Sequence, residues 1–347
     1  SVFFNANIGT TQRLGLLTVD TASSGVTFGG ADTASTGASG PVTSVFTDGL
    51  IDIGSGTTNA DEITGGIFLN GGASTLSFVT SDDSVRFNGK IELQSAVSIN
   101  TDANGTSGGN ITFTSSATID SQSSEHNDLT LEAGTASIFF NANIGATQSI
   151  GQLTIVEADG GVTFGESDTL DNATRTSFVT TINTDGAVDI GTTTNVITGT
   201  GIRLNGGSAG NQLTLTTTDD DVRFNGSVKL QTHVLIDTGN AGAGDITFTS
   251  DAPINSEDGP GLATTAERNN LTLNAGTGTV FFNANIGQTQ RIGTFTIDRA
   301  QAGVTFGAAD SASTGGSNIV TAVSTDGAID IGSGTNTDDV IGGTGIV

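Results

Sequence analysis

The chain has 347 residues, with 51 Gly, 3 Pro, 18 Phe as its only aromatics and no Cys, Met, Trp or Tyr. Ten basic against 36 acidic residues leave a net charge of −26, which repels nucleic acid and anionic membrane surfaces and makes cations the expected counter-partners. The lack of Cys excludes disulfides and thiolate metal sites and suits an extracellular setting, while no apolar run reaches the ~18 residues of a membrane span.

In chain order, the first element is Val2-Phe3-Phe4, which opens a segment, VFFNANIG, that returns from Ile138 and again from Val280, periods of 136 and 142 residues. This defines a long repeat over 1–137, a second over 138–279 and a partial third over 280–347, read as one continuous solenoid. Inside it runs a tripeptide of apolar, variable, apolar residues: VFF, VTF, IDI, VRF, ITF, then IFF, VTF, VDI, VRF, ITF, then VFF, VTF, IDI. Thirteen such starts lie a mean of about 27 residues apart, a spacing that suits one solenoid turn carrying about three short strands. Five coils per long repeat and about 13 coils in all are expected, in an all-β parallel β-helix uncapped at both ends.

Alternate strand residues face opposite sides, so the first and third tripeptide positions point inward. The third positions then form one ladder down the rod: Phe4, Phe28, Phe87, Phe113, Phe140, Phe164, Phe224, Phe248, Phe282 and Phe306, interrupted by Ile53, Ile190 and Ile331. Apolar alternations such as Leu17-Thr18-Val19, Leu129-Thr130-Leu131 and Phe295-Thr296-Ile297 supply a second sheet face. Thr47-Asp48-Gly49, Thr184-Asp185-Gly186 and Thr325-Asp326-Gly327 read as turns in which Gly takes positive φ, and the polar stretch Glu257–Glu267 reads as a protruding loop.

The middle positions form an outward column of Phe, Thr, Asp, Arg and Thr. Asp52 falls beside Arg86 and Asp189 beside Arg223, as ion pairs that fix register or, in the alternative, as a groove for a charged sugar. Phe3, Phe139 and Phe281 recur once per long repeat; a loop covers them, or they make lateral contacts to another chain. Asp82, Asp83, Asp219, Asp220 and Asp221 are solvated turn acids or, in the alternative, Ca²⁺ ligands, since Ca²⁺ takes several carboxylate and carbonyl oxygens. His126 and His233 occupy unrelated points of the repeat, and every acidic, basic or aromatic cluster recurs in the next copy, so no enzyme is expected.

The runs Asn110-Ile111-Thr112-Phe113, Asn127-Asp128-Leu129-Thr130-Leu131-Glu132-Ala133-Gly134 and Ala187-Val188-Asp189-Ile190-Gly191 resemble the filamentous haemagglutinin-like exoproteins and related giant bacterial surface adhesins. The resemblance implies a right-handed parallel β-helix exported to the cell surface, with other surface proteins or cell-surface glycans as partners. The function expected is an extracellular structural fibre or sheath component built from tandem repeats; the alternative is the stalk of an adhesin that presents a distant binding domain. Both readings place many further copies in the parent protein.

Overall fold

The computed structural model describes residues 1–30, 40–55, 61–105, 107–165, 177–207, 211–239, 242, 244–257, 267–307, 319–332 and 341–347. The expected loop at Glu257–Glu267 falls, apart from its two ends, outside them.

The chain is a parallel β-helix. Short strands, mostly of three to five residues, stack into three sheets, and every strand-to-strand ladder is parallel. The chain visits sheet I, sheet II and sheet III in turn, with isolated bridges at positions such as Ile8, Ile144 and Ile286 standing in for a strand. Sheet I begins with Val2–Phe4, Val26–Phe28, Ile67–Leu69, Ile91–Leu93 and Ile119–Ser121. It continues through a bridge at Ile144 to the stack from Thr181–Asn183 to Ile329–Ile331. Among the described residues, sheet II holds ten strands from Ser44–Phe46 to Gly303–Phe306, and sheet III nine from Leu17–Val19 to Ile254–Ser256.

The strand residues are mainly Val, Ile, Leu, Phe and Thr in strict alternation, and the burial follows: Ile51, Ile53, Val85, Phe87, Val222 and Phe224 are fully buried while the residue between each pair is partly exposed. All inward apolar side chains join one core running the length of the rod. Each buried Leu, Ile or Phe contributes about 1.5–3 kcal/mol of transfer free energy, which is what a chain this rich in Gly needs to offset its ordering entropy.

Register decides the coil. Eleven pairing steps on sheet I carry the chain from Val2 to Ile331, so a coil takes about 30 residues, not about 27. The difference arises at one step. Val26–Phe28 pairs with Ile67–Leu69, whereas Ile51–Ile53 pairs with Leu17–Val19 below and Val85–Phe87 above. Between VTF and IDI the chain crosses sheet II at Ser44–Phe46 and arrives on sheet III, two-thirds of a coil rather than a whole one. The other four tripeptide steps are full turns. A long repeat therefore contains fourteen strand positions, four and two-thirds coils, and the expected five is corrected to that.

Each long repeat is consequently displaced by one sheet. VFF at Val2 lies on sheet I, IFF at Ile138 on sheet III and VFF at Val280 on sheet II. The expected single Phe ladder is three separate ones: Phe4–Phe28 on sheet I, Phe87–Phe113–Phe140–Phe164 on sheet III and Phe224–Phe248–Phe282–Phe306 on sheet II. Within a ladder the rings stack with centroids 4.7–5.8 Å apart. Phe78, from sheet II, touches both Phe28 and Phe87 edge-on at 5.2 and 5.5 Å, tying the first two ladders across the core.

The turns differ in mechanism from the expectation. Gly49 does not take positive φ; it is glycine because a Cβ there would stand 2.2 Å from the Gly15 carbonyl oxygen of the coil below. The threonine two residues earlier closes the corner, Thr184 Oγ1 donating to Gly186 O at 2.6 Å and Thr325 Oγ1 to Gly327 O at 2.8 Å.

Candidate functional surface

The outward residues of five consecutive coils on sheet III read Asp52, Arg86, Thr112, Phe139, Thr163, and on sheet II Asp189, Arg223, Thr247, Phe281, Thr305. The same five-residue block thus appears first on one face and then on the next. Phe3, Phe139 and Phe281 lie on three different faces and form no common stripe, which corrects the expected lateral line of contacts. Phe3 is 64% exposed at the start of the chain, whereas Phe139 and Phe281 are half-covered, each flanked by threonines of the adjacent coils.

The asparagine of the segment N-I-G shows the same rotation. Asn143 Oδ1 accepts the backbone N–H groups of Thr180 and Thr181 at 2.8 and 3.1 Å. Asn7 does this with Thr43 and Ser44 on sheet II, and Asn285 with Thr321 and Ala322. After each, the chain makes a short excursion and returns to the same strand: Ile8 and Leu14 bridge Val45 and Thr47, as Ile144 and Ile150 bridge Ile182 and Thr184.

Arg86 lies 3.1 Å from Asp52 and donates to Gly54 O at 2.8 Å; Arg223 lies 2.6 Å from Asp189 and donates to Gly191 O at 2.7 Å. Each guanidinium therefore binds both a carboxylate and a backbone carbonyl of the neighbouring coil. Burial raises the Asp189 carboxyl above its ordinary value, and the charge and hydrogen bond of Arg223 work against that.

Asp82, Asp83, Asp219, Asp220 and Asp221 are turn acids. Asp82 and Asp219 take positive φ, 66° and 63°, and their carboxylates accept the N–H of Gly108 at 3.3 Å and of Gly242 at 2.7 Å. Asp221 accepts the N–H of Asp245 at 2.8 Å, and the carbonyl oxygens of Asp83 and Asp220 cap Thr80 and Thr217. Asp82, Asp219 and Asp221 thus link one coil to the next while Asp83 and Asp220 bond within their own turn, and among the described residues no group of three or more His, Cys, Asp or Glu could hold a metal ion. His126 Nδ1 lies 3.0 Å from Ser149 Oγ, and His233 Nδ1 accepts the N–H of Asn270 at 3.1 Å.

One to three coils above the VTF strand, the first two copies diverge. The outward row in the first repeat is Phe68, Glu92, Asp120 on sheet I; in the second it is Arg203, Lys229, Asn255 on sheet III. Arg203 and Lys229 converge on Glu257 at 2.9 and 3.1 Å, and Gln231 adds a third donor at 3.0 Å. Burial opposes ionisation of Glu257, but its bonds to Arg203 and Lys229 more than offset this and hold the carboxyl below its ordinary value. The first repeat has instead an open groove of about 440 Å³. Sequence reasoning passed over this row; the signal that marks it is the change of all three of its outward residues between the two copies, although other outward positions, such as Ser98 against Leu235, also differ.

No protein-family model, curated protein or solved structure matches this chain. Among the described residues no helix is long and apolar enough to cross a membrane.

Proposed function

We propose that the chain is a segment of the shaft of an extracellular structural fibre. One observation carries this reading: the long repeat advances by fourteen strands, so each added copy presents the same surface block turned to the next of three faces. Such a rod extends without limit and offers equivalent faces in three directions every three copies, a design suited to a shaft gripped from any side. At ~4.8 Å per coil the advance per copy is ~22 Å and the full cycle of fourteen coils ~67 Å. Absence of Cys supports an oxidising location outside the cell.

A second reading is the stalk of an adhesin. The surplus of 26 negative charges favours it, because like-charged rods repel and stand apart. Electron microscopy of the native material separates the two: bundles with a ~22 Å axial repeat support the fibre, and lone rods ending in a distinct tip support the stalk.

A further inference from the structure

We propose that the groove across Phe68, Glu92 and Asp120 is a binding site for a neutral hexopyranose oligosaccharide. The three residues occupy equivalent outward positions on adjacent coils of sheet I, in a row ~10 Å long at the spacing of parallel strands. Lys90 and Gln148 stand at its margins. This proposal is independent of the fibre and stalk readings, since either rod could carry it.

The chemistry of the row is that of a sugar ring. A pyranose has an apolar C–H face and a rim of hydroxyls, so its receptor needs an accessible aromatic ring with carboxylates and amides beside it. Phe68 is a half-buried aromatic at an outward position, its ring resting on the Gly66 backbone. Both carboxylates are already fixed by protein donors: Glu92 Oε1 accepts Gln94 Nε2 at 2.7 Å, and Asp120 Oδ1 accepts the N–H groups of Thr147 and Gln148 at 2.8 and 3.2 Å. Each has a second oxygen that accepts no hydrogen bond from the described residues, and a fixed carboxylate takes hydroxyl donors without further ordering cost. Lys90 forms no ion pair among the described residues and supplies ammonium donors at the edge.

Charge decides the class of sugar. Two carboxylates and one ammonium leave the groove with a net −1, on a chain at −26, so uronic acids, sialylated glycans and sulfated chains are repelled. The second repeat supplies an internal contrast. At the matching positions Arg203, Lys229 and Gln231 close over Glu257, leaving neither an aromatic platform nor an unpaired carboxylate. The Asp–Arg–Thr–Phe–Thr block is identical in the two copies, whereas all three outward residues of this row change.

Saturation-transfer-difference NMR on the whole chain, with cellotetraose, mannotetraose and chitotetraose as probes, tests this. Transfer to at least one probe is expected, falling at least tenfold in Phe68→Ala and about fivefold in Glu92→Gln. It is retained in Phe68→Tyr, which keeps the platform, and unchanged in Arg203→Ala, which opens only the other copy. Absence of transfer from the unmodified chain to all three probes overturns the proposal, and so does transfer that persists in Phe68→Ala.

Discussion

Thr27 lies directly beside Phe68 on sheet I, while Asp52, the next outward residue of the tripeptide series, lies on sheet III. That single displacement turns a rod with one decorated face into one whose decoration moves from face to face. It also separates the roles of the surface: the Asp–Arg–Thr–Phe–Thr block is repeated faithfully, and the coils that follow it vary.

The ion pairs of this block hold adjacent coils together. Arg223→Ala removes the partner of Asp189 and the donor to Gly191 O, at sites only 14% and 27% exposed, and is expected to cost about 1–3 kcal/mol. Urea melts followed by circular dichroism measure it. Converting Asp189 to Asn in the same chain should recover part of the loss, because the uncompensated charge then disappears.

The Phe ladders set the stability of the core. Phe224→Ala opens a cavity among fully buried neighbours and should destabilise by about 3–5 kcal/mol. Phe4→Ala, at a half-buried ring in the first strand, should cost clearly less. Equal losses from the two would contradict the difference in burial between the rings.

Much of this was readable beforehand. Alternation in VRF, ITF or LTL names the strands and their inward residues without ambiguity, because a period of two admits one buried face. Asp52 beside Arg86 also follows from counting, since those two strands are one full turn apart. Face assignment was not readable, because the pairing interval runs from 21 residues, Leu76 to Val97, to 42, Val304 to Ile346, and the 25-residue step from Val26 to Ile51 falls inside that range. Loop length carries no energetic signature of its own, so only pairing distinguishes two-thirds of a turn from a whole one. The row of Phe68, Glu92 and Asp120 was missed for a related reason: attention to what recurs hides what does not.

Stability should rise on mild acidification. Burial first, then the charges of Glu157 and Asp102, push the Glu132 carboxyl up; burial, then Asp159 and Asp102, do the same to Glu157, its neighbour on the next coil. A carboxyl raised in the folded state binds its proton there before the unfolded chain does, so stability increases as pH falls through the folded value and levels off at the ordinary one. Glu257, held low, acts oppositely, and its contribution is lost only below the ordinary carboxylate range. Thermal midpoints should therefore climb from pH 8 toward pH 5 and fall in stronger acid, with a flatter climb in Glu132→Gln.

The excursion after N-I-G depends on its asparagine. Asn143→Ala leaves the N–H groups of Thr180 and Thr181 without their acceptor and should cost about 1–2 kcal/mol. Hydrogen exchange should accelerate at those two amides while Leu153–Glu157 stays protected.

The most direct test of the four-and-two-thirds-coil repeat uses the natural absence of Cys. Neighbouring outward positions of parallel strands bring Cα atoms to ~4.8 Å, inside the range a disulfide spans. The account predicts that Thr27→Cys with Phe68→Cys forms an intramolecular disulfide on mild oxidation, whereas Thr27→Cys with Asp52→Cys does not. Crosslinking of the second pair and not the first would contradict it.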